Sequence, residues 1–133
     1  MTDARKWLGR ARGINREIET LLNTKKEARD QLLRITQNYS KDGAQSTKDP
    51  HKYDRLAELD SLIDQKVDEL LEVKAEITKA INTVQDGRQR CVLLSYYVRC
   101  MTLEEIAAEN HYSYRQTLRT HRAGIAEIEK LVL

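Results

Sequence analysis

Apolar residues recur in alternating steps of four and three along the first third of the chain. Trp7, Ala11, Ile14, Ile18, Leu21, Ala28, Leu32, Ile35 and Tyr39 hold that spacing, with Lys25 as its one charged member. Such a row stays on one side of a helix and specifies a coiled-coil partner, while Lys25 lays its aliphatic stem over the seam. Asn38-Tyr39-Ser40-Lys41-Asp42-Gly43 interrupts the pattern, and polar residues run on to Lys48. Asp49-Pro50 restarts a helix, Asp as N-cap and Pro at the first helical position. Leu56, Leu59, Ile63, Lys66, Leu70, Val73, Ile77, Ala80 and Val84 then repeat the three-and-four spacing. Two such helices joined by a polar segment predict a long antiparallel coiled-coil hairpin with arms of roughly 50 Å. The seam is thin, so its full burial calls for a second copy or a partner surface.

At Asp86-Gly87-Arg88-Gln89 the heptad stops. Asp three residues before Gln reads as a capping-box variant, and Gly87 permits a change of direction. Three shorter helices are expected beyond it, over about 88–100, 103–109 and 114–131. Thr102-x-x-Glu105 is a capping box for the second, and Ser113-x-x-Gln116 is one for the third. Between them Asn110-His111 supplies the turn, Asn being the residue that tolerates left-handed backbone. Two capped helices separated by so short a turn have the sequence form of a helix-turn-helix. The expected protein is therefore all-α: a hairpin over residues 1–85, then a trihelical helix-turn-helix domain over residues 86–133.

Composition agrees with an all-helical chain. Charged residues make up 33% of the sequence and aromatics only 5%, which favours a narrow apolar seam over a thick core. Runs such as Cys91-Val92-Leu93-Leu94 are too short to cross a bilayer, and no signal-peptide pattern opens the chain, so a cytoplasmic protein without membrane contact is expected. Cys91 and Cys100, nine residues apart, point to opposite helical faces and read as small apolar residues on a buried helix rather than as metal ligands. The net charge of +2 is unevenly spread: residues 1–34 carry +4, residues 35–85 carry −3 and residues 86–133 carry +1. A nucleic-acid surface is thus expected at the ends of the chain. At the first end Arg5, Lys6, Arg10, Arg12 and Arg16 read as a solvated helix terminus.

The last helix divides by angle. At 100° per residue Thr117, His121, Gly124 and Ile128 fall on one side, bordered by Leu118 and Ile125, and Arg115, Arg119 and Arg122 fall opposite. A cationic row without an acid, opposite a packing row, is the layout of a recognition helix in the major groove. Arg can pair bidentately with guanine or grip phosphate. Ser113, Tyr114, Arg115, Leu118, Arg119 and Arg122 are the expected groove residues. Arg115 and Arg119 are assigned to specificity and Arg122 to the backbone, and Arg88, Arg90 and Arg99 on the preceding helix are expected at phosphates. His121 is expected as a buried, hydrogen-bonded histidine. Tyr96, Tyr97, Tyr112 and Tyr114 are mostly core, with Tyr114 the best aromatic candidate for a DNA contact. No Gly-rich phosphate loop, metal cluster or nucleophile–base pair supports an enzyme, and no cofactor is expected.

The stretch RCVLLSYYVRCMTLEEIAAENHYSYRQTLRTHRAGI resembles region four of bacterial sigma factors, the module that reads the promoter −35 element. Thr102, Glu104, Glu105, Ile106, Ala107 and Ser113 match that family's pattern in place. Together with the helical arm, the YSYRQ…H continuation is similar to phage-encoded sigma-like late-gene regulators of the RinA/ArpU type. Asn110 and His111 stand where sigma factors usually carry an apolar residue and Gly, and Thr117 where Val is common. Nothing resembles the promoter-melting region. The resemblance implies an accessory, sequence-specific regulator binding double-stranded DNA, with the hairpin dimerising the chain or docking on RNA polymerase. Two alternatives stand beside it: a phage small-terminase-like packaging subunit, and a coiled-coil interaction protein that does not touch DNA.

Overall fold

The computed structural model describes residues 3–41, 51 and 53–131. It is all-helical, with no strand among the described residues. Six helices follow in order: α1 (Ala4–Leu8), α2 (Arg10–Lys41), α3 (Asp54–Ile81), α4 (Gly87–Tyr97), α5 (Leu103–Asn110) and α6 (Tyr114–Leu131). α2 and α3 are the long helix pair. The expected restart at Asp49-Pro50 lies outside the described residues, as does the side chain of Tyr39. α2 itself continues to Lys41, into the polar stretch expected to interrupt it.

The chain forms two compact units, and the contacts divide within the long helices rather than at residue 85. One unit comprises the described parts of Met1–Asn15 and Glu69–Leu133, the other those of Arg16–Asp68. In the second unit, α2 and α3 run in opposite directions, since Glu17 pairs with Lys66 at 3.3 Å while Lys25 pairs with Asp60. Ile18 and Ile63 are buried between them. Lys25 is thus an ion-paired seam residue as well as an aliphatic cover. Ile35, placed on the seam by its spacing, is 46% exposed. The level of the Lys25–Asp60 pair puts Ile35 near the point at which α3 begins, where the described pairing of the two helices runs out.

In the first unit α6 packs against α4, α5 and α1. Leu8, Ile77, Ile81, Leu93, Ile106 and Ile128 are its largest fully buried apolar side chains. Each stabilises the fold by about 1.5–3 kcal/mol relative to exposure. α1 breaks from α2 at Gly9, an interruption the heptad does not announce, because Leu8 and Ala11 both stay buried across it. Cys91 is exposed and Cys100 half-buried, and both are free thiols. The expectation of two buried helical cysteines fails twice: Cys91 is on the exposed side of α4, which buries Val92 and Leu93, and α4 stops at Tyr97, leaving Cys100 outside it with left-handed backbone at φ 59°.

α6 crosses α4 closest at Gly124. A Cβ there would stand 2.8 Å from Leu93 Cδ1 and 3.1 Å from its Cγ, and Leu93 has no exposed surface into which to move. Helix propensity alone favours alanine by about 1 kcal/mol. Overpacking a closed core costs more, so Gly124→Ala is expected to lower stability by about 1–2 kcal/mol net. Thermal unfolding of the variant checks this, and a raised midpoint would show that Leu93 yields.

Candidate nucleic-acid interface

Both α5 and α6 begin on a side-chain capping box. Thr102 Oγ1 accepts from Glu105 N at 3.1 Å while Thr102 N donates to the Glu105 carboxylate at 2.8 Å. These bonds, the backbone one first, hold the Glu105 carboxyl below its usual pKa. At the far end of α5, Tyr112 N donates to Ala107 O at 2.9 Å and His111 N to Ala108 O at 3.3 Å. This pattern needs a left-handed residue after the helix, and it is His111, at φ 58°, that takes the conformation. Asn110, expected there, is instead the last helical residue, its amide donating to Ile106 O at 3.0 Å. α6 then opens on Ser113, which accepts from Gln116 N at 3.1 Å as its own N–H donates to Gln116 Oε1 at 3.0 Å.

α6 buries Thr117, His121, Gly124, Ile125 and Ile128 on one side. Arg115, Arg119 and Arg122 are exposed on the other, and none is in an ion pair among the described residues. Ser113 and Tyr114 are exposed beside them and Leu118 is half-buried at the border. Arg88, at the start of α4, joins this surface. Its guanidinium lies 5.6 Å from the centre of the Tyr112 ring. Arg88, Tyr112, Gln116, Arg119 and Thr120 line one cleft of ≈ 180 Å³. Two guanidiniums, an amide and a hydroxyl converging on one opening can hold a phosphate-sized anion. Gln116, expected only as a capping residue, and Thr120 are not among the expected groove residues, although each directly follows an expected one, Arg115 or Arg119.

The other two arginines of this group are occupied by the chain itself. Arg90 Nη1 donates to Val84 O at 2.7 Å and Gln85 O at 2.8 Å, closing the carbonyls that follow α3. Arg99 grips the Glu109 carboxylate with two nitrogens, at 2.8 and 3.1 Å. That hydrogen bonding holds the Glu109 carboxyl below, and the Arg99 guanidinium above, its ordinary value. Asp86 caps α4 by accepting from Arg88 N and Gln89 N, but Gln89 Oε1 is buried without a partner among the described residues, so the reciprocal half of the box is not made.

Beneath the surface, Tyr97 O–H and His121 Nε2 meet at 2.9 Å, with Tyr96 packed edge-on 5.1 Å from the imidazole. Burial, reinforced by the positive charges of Arg5 and Arg122, lowers the His121 pKa to about 4. Burial raises the Tyr97 pKa to about 12. His121 is therefore neutral at physiological pH, the buried and bonded histidine its position predicts. From the first end of the chain, Arg10 Nη2 pairs with Glu76 at 2.8 Å and its guanidinium covers Trp7. Arg12 Nη1 donates to Tyr96 O and Met101 O, both at 2.9 Å, and its guanidinium lies 3.9 Å from the Tyr96 ring centre. These two are structural clamps, not the solvated terminus that the charge run indicates. Arg5, Lys6 and Arg16 are exposed. Among the described residues no helix is long and apolar enough to cross a membrane. No protein-family model, curated protein or solved structure matches the chain.

Proposed function

We propose that the chain is a sequence-specific, duplex-DNA-binding transcriptional regulator of the phage or prophage type, acting in the cytoplasm as an accessory sigma-like factor. In this reading α5, its turn and α6 are a helix-turn-helix similar to sigma region four, and the long helix pair is a hairpin that serves association with a second copy or with RNA polymerase. One observation carries it: α6 buries one face and presents on the other three arginines in no ion pair among the described residues. A solvated face needs only mixed charge, and this one holds cations with the planar fork that suits guanine and phosphate. Arg88 adds a phosphate contact beside Arg119, whereas Arg90 and Arg99 would have to give up their present partners to do so. Ser113, Tyr114 and Leu118 lie where the first turns of a groove-bound helix meet bases.

Fluorescence anisotropy with a mixed-sequence duplex across a salt series tests the reading. The native chain is expected to bind with a steep negative log–log slope, and the Arg115/Arg119/Arg122→Ala triple variant with a slope shallower by about two to three. No binding by either protein at low salt, or equal slopes, would remove α6 as a DNA-facing element.

A further inference from the structure

We infer that the unit formed by Arg16–Asp68 is a self-association module, in which a second copy of the chain docks so that α2 of each copy lies on α3 of the other. The inference concerns this unit alone and stands whether or not α6 binds DNA.

The seam between α2 and α3 leaves a second row on each helix. On α2, Leu22, Lys26, Arg29 and Leu33 follow in steps of four, three and four, about a quarter-turn from the seam. All four are exposed, Leu22 by 48% and Leu33 by 56%. On α3 and the turn before it, Tyr53, Ala57, Asp60, Asp64 and Val67 follow in the same alternation and are exposed as well. The two rows share one face of the helix pair. Arg29 and Leu33 line a groove with Tyr53 and Leu56, and Asp60 reaches across to Lys25.

Their chemistry is complementary rather than alike. The α2 row is apolar and basic, and the α3 row is apolar and acidic. Lys26, Arg29 and Asp64 are in no ion pair within the chain among the described residues. Asp60 and Asp64, four residues apart on one helix, repel each other, and the single cation Lys25 answers only Asp60. A face bearing both rows is its own complement, which is what a two-fold interface requires.

The charges also select the axis. A two-fold axis across the helices would lay α2 on α2 and oppose Lys26 and Arg29 of both copies. An axis along the helices lays α2 of one copy on α3 of the other at the same level. Lys26 then meets Asp60 and Asp64, and Leu33 meets Tyr53, once on each side of the axis. The product is a four-helix arrangement with an apolar strip bordered by two sets of ion pairs.

Sedimentation velocity of the full chain, over about 1–200 µM, tests this with a charge swap. The native chain is expected to dimerise reversibly. Lys26→Glu/Arg29→Glu opposes acid to acid at both contacts, and Asp60→Lys/Asp64→Lys opposes base to base. Each variant alone is expected to dimerise at least ~10-fold more weakly, with its helical circular dichroism unchanged. Mixed one to one, the two variants restore opposite charges at both contacts, and a heterodimer near native affinity is expected. A native chain that stays monomeric throughout overturns the inference, as do variants that self-associate like the native chain or fail to pair when mixed.

Discussion

Replacing Arg12 with alanine is expected to cost about 3 kcal/mol of stability. The side chain donates from one nitrogen to two backbone carbonyls, Tyr96 O and Met101 O, and lies flat over the Tyr96 ring. Hydrogen bonds from a charged donor contribute about 1.5–3 kcal/mol each, and a partly desolvated cation–π contact about 0.5–2. The three share one guanidinium and do not add, and solvent reaches part of the site, which brings the expected total below their simple sum. Tyr96 O lies in the last turn of α4 and Met101 O directly before Thr102, the cap of α5, so the loss is also expected to loosen the start of α5. Urea unfolding with an unchanged m-value reads the effect directly. Arg12→Lys keeps the charge without the planar group, and an intermediate loss is expected of it. A change under about 1 kcal/mol in Arg12→Ala would mean that water replaces the guanidinium at both carbonyls.

Acid is expected to remove a similar amount through His121. Its folded pKa of about 4 lies below the 6.5 of the free side chain. Between those values the unfolded chain binds a proton that the folded chain refuses. The contribution is therefore fully present above pH 6.5 and is lost as pH falls through 4, to a total of about 3 kcal/mol. The groups facing the imidazole explain its resistance: Tyr96 and Tyr97 from α4 offer rings and a hydroxyl, and Arg5 and Arg122 add positive charge. Glu105 and Glu109, whose pKa values are also lowered, lose stability in the same direction as pH falls. His121→Gln isolates the histidine, and its stability is expected to fall less steeply than that of the native chain between pH 6.5 and 4. Parallel curves would show that the carboxylates alone account for the acid sensitivity.

The parts of this structure legible in the sequence are those governed by period and by end chemistry. Ile14, Ile18, Ile63, Val73 and Ile77 are buried where a four-and-three repeat puts them. Thr102–Glu105 and Ser113–Gln116 close as boxes because each pair is three residues apart and both donors and acceptors are local. The face of α6 divides as its angles require. What could not be read is where long side chains go. Arg12, Arg90, Arg88 and Arg119 are one residue type, yet the first two are held by backbone carbonyls and the last two open onto a cleft. Only the tertiary course of the chain decides which. The left-handed residues were misjudged for a related reason. His111 adopts αL because α5 ends there, and Cys100 does so three residues past the end of α4, where the chain turns toward Thr102.

The meeting of α1 with α6 has a further meaning for how the protein is made. Ala4 and Leu8 belong to the first described helix, and the surface that covers them comes from the last. At ~5–20 residues per second, a ribosome finishes α6 roughly 6–25 s after α1 has been polymerised. Throughout that interval the part of α1 that packs on α6 lacks its native surface. α1 therefore cannot take up its native contact with α6 before α6 itself has been made.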